Sequence, residues 1–274
     1  MHRIFFLLLV LSSSVLYAQK LSVADSLIAL LPKASNDTVK IKLYLKIGEQ
    51  FETTEPEKAI RYYTLALEKS RNASLAVPKD KPDYYKKFTA KANDYIGFVC
   101  YITGDFVNAL VFYQEAVRLF YELGNKKSLS ICLNSMGAVF ADMGNFSQAI
   151  EYYQKSLRIR EATGDQAGIS KCLNNIGGLY HDQKNYPKAI DYYSRSLKIK
   201  KSLDDKSTLP GTLNNLGSAY FESGNYKTAL SYYDQSLKLS RELGALEDIA
   251  ACYNNIGSIY LAKREFDSAM VQFD

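Results

Sequence analysis

Catalysis needs a nucleophile, an acid–base group or a set of metal ligands gathered at one place, and the side chains that could supply these are sparse here. There are two histidines, His2 and His181. A single histidine in the body of the chain cannot build a metal site or a Ser-His-Asp relay. His181 stands beside the carboxylate of Asp182 and is read as a candidate binding residue. The four cysteines, Cys100, Cys132, Cys172 and Cys252, include no pair at metal-ligand spacing. Asp204 and Asp205 are adjacent carboxylates in a turn, and no Gly-x-x-x-x-Gly-Lys-Ser/Thr loop is present to cradle a phosphate. These residues predict no enzyme, no metal and no cofactor.

Aromatic and basic residues are the next candidates. The doublets Tyr62-Tyr63, Tyr152-Tyr153, Tyr192-Tyr193 and Tyr232-Tyr233 have the form of stacking platforms for bases or sugars. Helical spacing, however, puts one tyrosine of each doublet on an apolar face, where an aromatic stripe is core. Net charge is +5, from 34 basic and 29 acidic residues. The two signs are interleaved, as in Lys198, Lys200 and Lys201 beside Asp204 and Asp205. Such faces are solvated, and without a basic stripe no nucleic-acid partner is expected.

With 47% hydrophobic and 23% charged residues, the chain can bury a core and is neither disordered nor a membrane bundle by composition. Its beginning differs from the rest. His2 and Arg3 precede the apolar run Ile4 to Leu11, then Ser12 to Ser14 and the small residue Ala18. This pattern is that of a secretory signal over residues 1–18, cleavable near Ala18 or retained as a signal anchor. The apolar run is shorter than the ~20 residues of a spanning helix, and no later segment would contact a membrane. Localisation is therefore expected to be exported, periplasmic or extracytoplasmic.

The body of the chain is repetitive. A shift of 40 residues aligns Gly97, Gly137, Gly177, Gly217 and Gly257, then Ala109, Ala149, Ala189, Ala229 and Ala269, then Tyr113, Tyr153, Tyr193, Tyr233 and Phe273. Within each unit, two apolar-periodic stretches flank a turn signal, Gly104-Asp105, Gly144-Asn145, Lys184-Asn185 or Gly224-Asn225. Leu173, Ile176, Gly177 and Tyr180 mark a first helix, A, and Ala189, Ile190, Tyr193 and Leu197 a second, B. Gly124, Gly164 and Gly244 suit the end of helix B, where Asp204 should cap less well. Pro187 and Pro210 fit first helical turns. The recurring glycine and alanine predict a close helix crossing, with aromatic rings filling the space beside it.

Export makes disulfides worth testing against this register. Cys132, Cys172 and Cys252 occupy one repeat position, with Thr212 as the exception, and Cys100 stands where Phe140 and Tyr180 stand later. Equivalent helices in a stack lie ~10 Å apart, beyond the ~7 Å between Cα atoms that a disulfide allows. All four thiols should be free and buried.

The hydrophobic, Gly, Tyr, Ala and aromatic pattern of Leu173, Ile176, Gly177, Tyr180, Ala189 and Tyr193 resembles the tetratricopeptide repeat over about residues 43–274. The 40-residue period is longer than the usual ~34 and resembles the kinesin light chain subgroup. The resemblance implies an all-α, right-handed superhelical solenoid of antiparallel helix pairs, with A helices lining a concave groove for a protein or peptide. On this sequence the matching groove residues are Asn134, Asn174, Asn214 and Asn254, with Ala138, Gly178, Ser218 and Ser258 beside them and Ala141, His181, Phe221 and Leu261 next on the face. His181 and Phe221 complete the candidate site. An amide offers donors and an acceptor to a peptide backbone. A second series, Ser135, Asn175, Asn215 and Asn255, points about 100° away and is expected to bond the neighbouring unit's backbone.

The expected organisation is a signal over 1–18, an N-terminal capping helix within 19–42 (Leu21 to Leu31, then Pro32), and an array of about six units over 43–274. The first unit is irregular, with a loop expected from Arg71 to Pro82. Asp274 aligns with Asp234 in mid-helix, so the array is expected to continue in a longer polypeptide. The function expected is a protein- or peptide-binding scaffold, either the extracytoplasmic sensor region of a longer signalling protein or a stand-alone adaptor for protein assembly, with a catalytic domain after Asp274 as a third arrangement.

Overall fold

Each short turn must end one helix and begin the next, and a left-handed residue followed by Asn or Asp does both. The computed structural model describes residues 22–76 and 83–273. In the helices α6 (Lys126–Asp142) and α7 (Phe146–Thr163), the Asn145 backbone N–H donates to the Phe140 carbonyl at 2.8 Å, closing α6. The Asn145 side-chain oxygen then accepts from Gln148 N–H at 3.3 Å, opening α7. Gly144, with φ of 73°, makes the reversal possible. The same device joins α8 (Gln166–Asp182) to α9 (Tyr186–Ser202) through Lys184 and Asn185, and α10 (Leu209–Glu222) to α11 (Tyr226–Leu243) through Gly224 and Asn225. Lys184 holds φ of 58° without glycine's freedom, a strain of about 1 kcal/mol. Pro187 and Pro210 sit in the first turns of α9 and α10.

The fold is all-α, built as antiparallel helix pairs stacked into a solenoid, and it divides into two compact units at Asp105–Phe106. In the first unit, a short α1 (Val23–Ile28) precedes α2 (Asp37–Glu49), α3 (Pro56–Ala76) and α4 (Asp83–Ile102). Tyr63 is fully buried on Gly48, and its hydroxyl donates to Glu52. Lys69 pairs with Asp37 at 2.8 Å to tie α3 to α2, and the hydroxyls of Ser70 and Thr89 meet at 2.9 Å between α3 and α4. The second unit contains α5 (Phe106–Glu122), α6 to α11, α12 (Leu246–Ala262) and α13 (Phe266–Phe273). Each A helix (α6, α8, α10, α12) packs on its own B helix, on the preceding B helix and on the neighbouring A helices.

The repeat residues make the core of that second unit. Tyr153, Tyr193 and Tyr233 are buried, and a β-carbon added to Gly137, Gly177 or Gly217 would stand 2.7, 2.7 or 2.5 Å from their ring carbons. The glycine is thus a seat for the tyrosine ring of the paired B helix, a more specific role than a close backbone crossing. Tyr152, Tyr192 and Tyr232, the outer members of the doublets, stack on Phe140, Tyr180 and Tyr220 with centroids 5.2, 5.5 and 5.5 Å apart. Both tyrosines of a doublet therefore hold helix A to helix B.

Three boundaries differ from those expected. Helix α3 continues through Ala76, so residues 71–76 are not loop; no helix breaker precedes Pro78, and Ala73 is buried. The rest of that expected loop, 77–82, lies outside the described residues, as do residues 1–21 with the expected signal. The N-terminal helix is only Val23–Ile28, capped by Ser22, because a 3-10 turn over Leu31–Lys33 forms around Pro32. The first A helix begins at Asp37, capped by Asn36, ahead of the expected array boundary at 43.

Candidate peptide-binding face

The two asparagine series lie on the A helices of the second unit, and the structure interlocks them. Asn175 Nδ2 donates to Asn134 Oδ1 at 3.2 Å, Asn215 Nδ2 to Asn174 Oδ1 at 3.5 Å, and Asn255 Nδ2 to Asn214 Oδ1 at 2.9 Å. The three asparagines of the second series thus bond the neighbouring unit's side chains, where its backbone is the expected partner, and Ser135 donates to the Ile131 carbonyl of its own helix at 3.3 Å. The reason is reach: residues 41 apart face each other across adjacent A helices, whose own carbonyls are occupied by helical bonds.

Burial then grades the first series. Asn134 is only 7% exposed, and its oxygen also accepts from Cys172 Sγ at 3.5 Å. It acts as a strut between units and presents little surface to a groove. Asn174 and Asn214 are half-buried and Asn254 is exposed. With Oδ1 held by the next unit, Asn174 and Asn214 have side-chain N–H groups without an acceptor among the described residues. What they present outward is donors only. Gly178 and Ser218 lie beside them, Ser218 sharing a hydrogen bond with Tyr233 Oη at 3.1 Å.

His181 and Phe221 occupy equivalent positions near the ends of α8 and α10. Each ring leans on the first aromatic of the next helix, with centroids 5.6 Å from Tyr186 and from Tyr226 respectively. His181 Nδ1 lies 3.9 Å from Asp182 Oδ1, while its buried Nε2 has no hydrogen-bond partner. Asn134, Asn174 and Asn214 are each bonded to an asparagine of the next A helix and not to one another, and among the described residues no bond joins them to Asn254, His181 or Phe221.

A buried polar seam lies behind this face, and its hydroxyls were not anticipated. Ser156, Ser196 and Ser236 donate to the carbonyls of Ser130, Ser170 and Pro210 at 2.6, 2.7 and 2.9 Å. Their 40-residue spacing was available as a signal. Cys172 Sγ approaches Ser156 Oγ at 3.3 Å, and Thr212, in the equivalent place, donates to Asn174 Oδ1 at 3.2 Å. The four cysteines are free and buried. Burial pushes the Cys100, Cys172 and Cys252 thiols above their ordinary value, which disfavours the reactive thiolate. Among the described residues no group of three His, Cys, Asp or Glu is placed to hold a metal, and no helix is long and apolar enough to cross a membrane.

Comparison with known proteins agrees with the fold. A tetratricopeptide repeat family model matches residues 88–162, 133–202 and 208–273. No curated protein matches in sequence. Among solved structures, BtubC from P. vanneervenii is similar at a TM-score of 0.68 and 20% identity, covering 80% of this chain and 88% of that one. A Pyrococcus horikoshii signal transduction ATPase with numerous domains, described as having a tetratricopeptide repeat sensor, gives 0.75 and 17% over 92% of this chain and 39% of its own. A Rap protein complexed with competence and sporulation factor gives 0.63 and 15% over 91% of this chain and 77% of its own.

Proposed function

This chain belongs to the tetratricopeptide repeat family, and on that premise we propose that it is a scaffold that binds a protein or peptide along the A-helix face of residues 106–274. The observation that carries the reading is the fixed direction of the asparagine amides. Their oxygens are taken by the neighbouring unit, so the N–H groups of Asn174 and Asn214, with exposed Asn254 beyond them, form a ladder of donors at the repeat spacing. Such a ladder suits backbone carbonyls or carboxylates of an extended ligand. The finer reading is that the chain serves as an extracytoplasmic sensor region of a longer signalling protein. The signal pattern at Ile4 to Leu11 supports export, and the sensor repeats of the Pyrococcus protein offer an analogy for the role.

The test follows from the same hydrogen bonds. Asn174→Asp with Asn214→Asp keeps both oxygens for the next unit but removes the outward donors. Binding of a peptide selected on the native chain from a random display library should weaken about tenfold, with the melting temperature little changed. Undiminished binding by the double variant would sink the donor-ladder reading. Export is tested separately by fusing residues 1–30 to an alkaline phosphatase that is active only outside the cytoplasm; an inactive fusion would remove the extracytoplasmic role.

A further inference from the structure

The B-helix side of the second unit carries a recess with no place in the reading above. It lies between α5 and α7 with α6 as its floor, has a volume of about 790 Å³, and is lined by Val117, Phe120, Tyr121, Leu129, Leu133 and Ile159. Volumes of about 300–1,000 Å³ with mainly apolar walls are those of small-molecule sites. Tyr121 is 74% exposed at its edge.

The repeats provide an internal control. An equivalent recess lies one unit on, where Ile169, Leu173 and Ile199 replace Leu129, Leu133 and Ile159, and it holds only about 420 Å³. The difference lies in α5. Phe120 and Tyr121 stand where the later units have Arg160-Glu161, Lys200-Lys201 and Ser240-Arg241. The first recess is therefore the larger of the two, and apolar at positions that are otherwise charged or polar.

Its rim is cationic. Arg118, Lys126, Lys155 and Arg158 all border it. Arg118 is paired with both Glu115 and Glu122, which leaves one carboxylate charge over, and Lys155 is paired with Glu151 at 2.7 Å. Lys126 and Arg158 are exposed and pair with no carboxylate among the described residues. Two uncompensated cations over one apolar chamber complement a molecule with an apolar body and an anionic head. We propose that this recess is a binding site for a single-chain anionic amphiphile, its tail against Val117, Phe120 and Leu133 and its head between Lys126 and Arg158.

Calorimetric titration of the intact chain with dodecanoate, below micelle-forming concentration, tests this. One equivalent should bind saturably, and dodecyltrimethylammonium, with the same tail and opposite charge, should not. Lys126→Glu with Arg158→Glu should weaken dodecanoate about tenfold or more. Tyr121→Glu, which installs the next unit's residue, should weaken it severalfold. All three positions are exposed, and circular dichroism checks that helicity persists. Absence of saturable binding, equal binding of the cationic congener, or native affinity in both variants would overturn the proposal.

Discussion

Two successive junctions of the second unit use the same plan with different chemistry. At the first, where α8 meets α6 and α7, Asn134 accepts from Asn175, Cys172 lies against Ser156, and Arg160 is buried with its Nε unpartnered and Nη1 4.0 Å from Asp165. At the second, where α10 meets α8 and α9, Thr212 replaces the cysteine and Lys200 the arginine. Lys200 Nζ donates to Thr212 Oγ1 at 2.8 Å and to the Thr208 carbonyl at 3.0 Å. The apparent exception in the cysteine series thus has a physical account: a threonine hydroxyl accepts a buried ammonium well, and a thiol accepts it poorly. The two junctions share a plan and not a fixed list of residues: the second satisfies its buried cation through Thr212 and Thr208, whereas the first leaves Arg160 Nε unpartnered.

The comparison breaks most visibly at Thr212. Thr212→Val removes an acceptor from Lys200 and a donor from Asn174, and should cost about 2 kcal/mol. Cys172→Val at the other junction removes only a weak thiol contact and should cost less than about 1 kcal/mol. Urea unfolding of both variants checks this, and equal losses would contradict the account. A smaller effect is expected at the turns that follow α7 and α9. Gly164 takes φ of 71° freely, whereas Asp204 holds 51° against its β-carbon. Asp204→Gly should therefore stabilise by about 0.5–1 kcal/mol, read as a raised melting temperature, and Gly164→Asp should do the reverse.

The smallest expected effect concerns pH. Burial lowers the Lys200 pKa from 10.5, so the unfolded chain binds this proton more tightly than the folded one. Stability contributed at this position then rises with pH between the lowered folded value and 10.5. The native chain should gain on Lys200→Met as pH is raised from about 8 to 10, measured as the difference in urea midpoints. A widening deficit would reverse the assignment.

Much of this architecture was legible from residues alone. The 40-residue register located the Gly177 and Tyr193 positions, though not their contact, together with the Asn185 and Asn225 turns and the cysteines that are free, because each depends on spacing within one unit or on a position shared by all. The Asn175–Asn134 bond was not legible, since it depends on how far one A helix rotates against the next, which no local pattern encodes. The length of α3 was missed for another reason. Polar residues such as Asn72 have the composition of a loop, while burial of Ala73 carries the helix past them. The enlarged recess was legible only in comparison, through Phe120 and Tyr121 breaking a charged series.

Adjacent A helices in residues 106–274 touch and are tied by amides, whereas recesses separate α5 from α7 and α7 from α9. Mechanically this is a bound book: a stiff spine on the asparagine side and loose page edges on the other. The softest deformation available to such an object is fanning of its B helices about that spine.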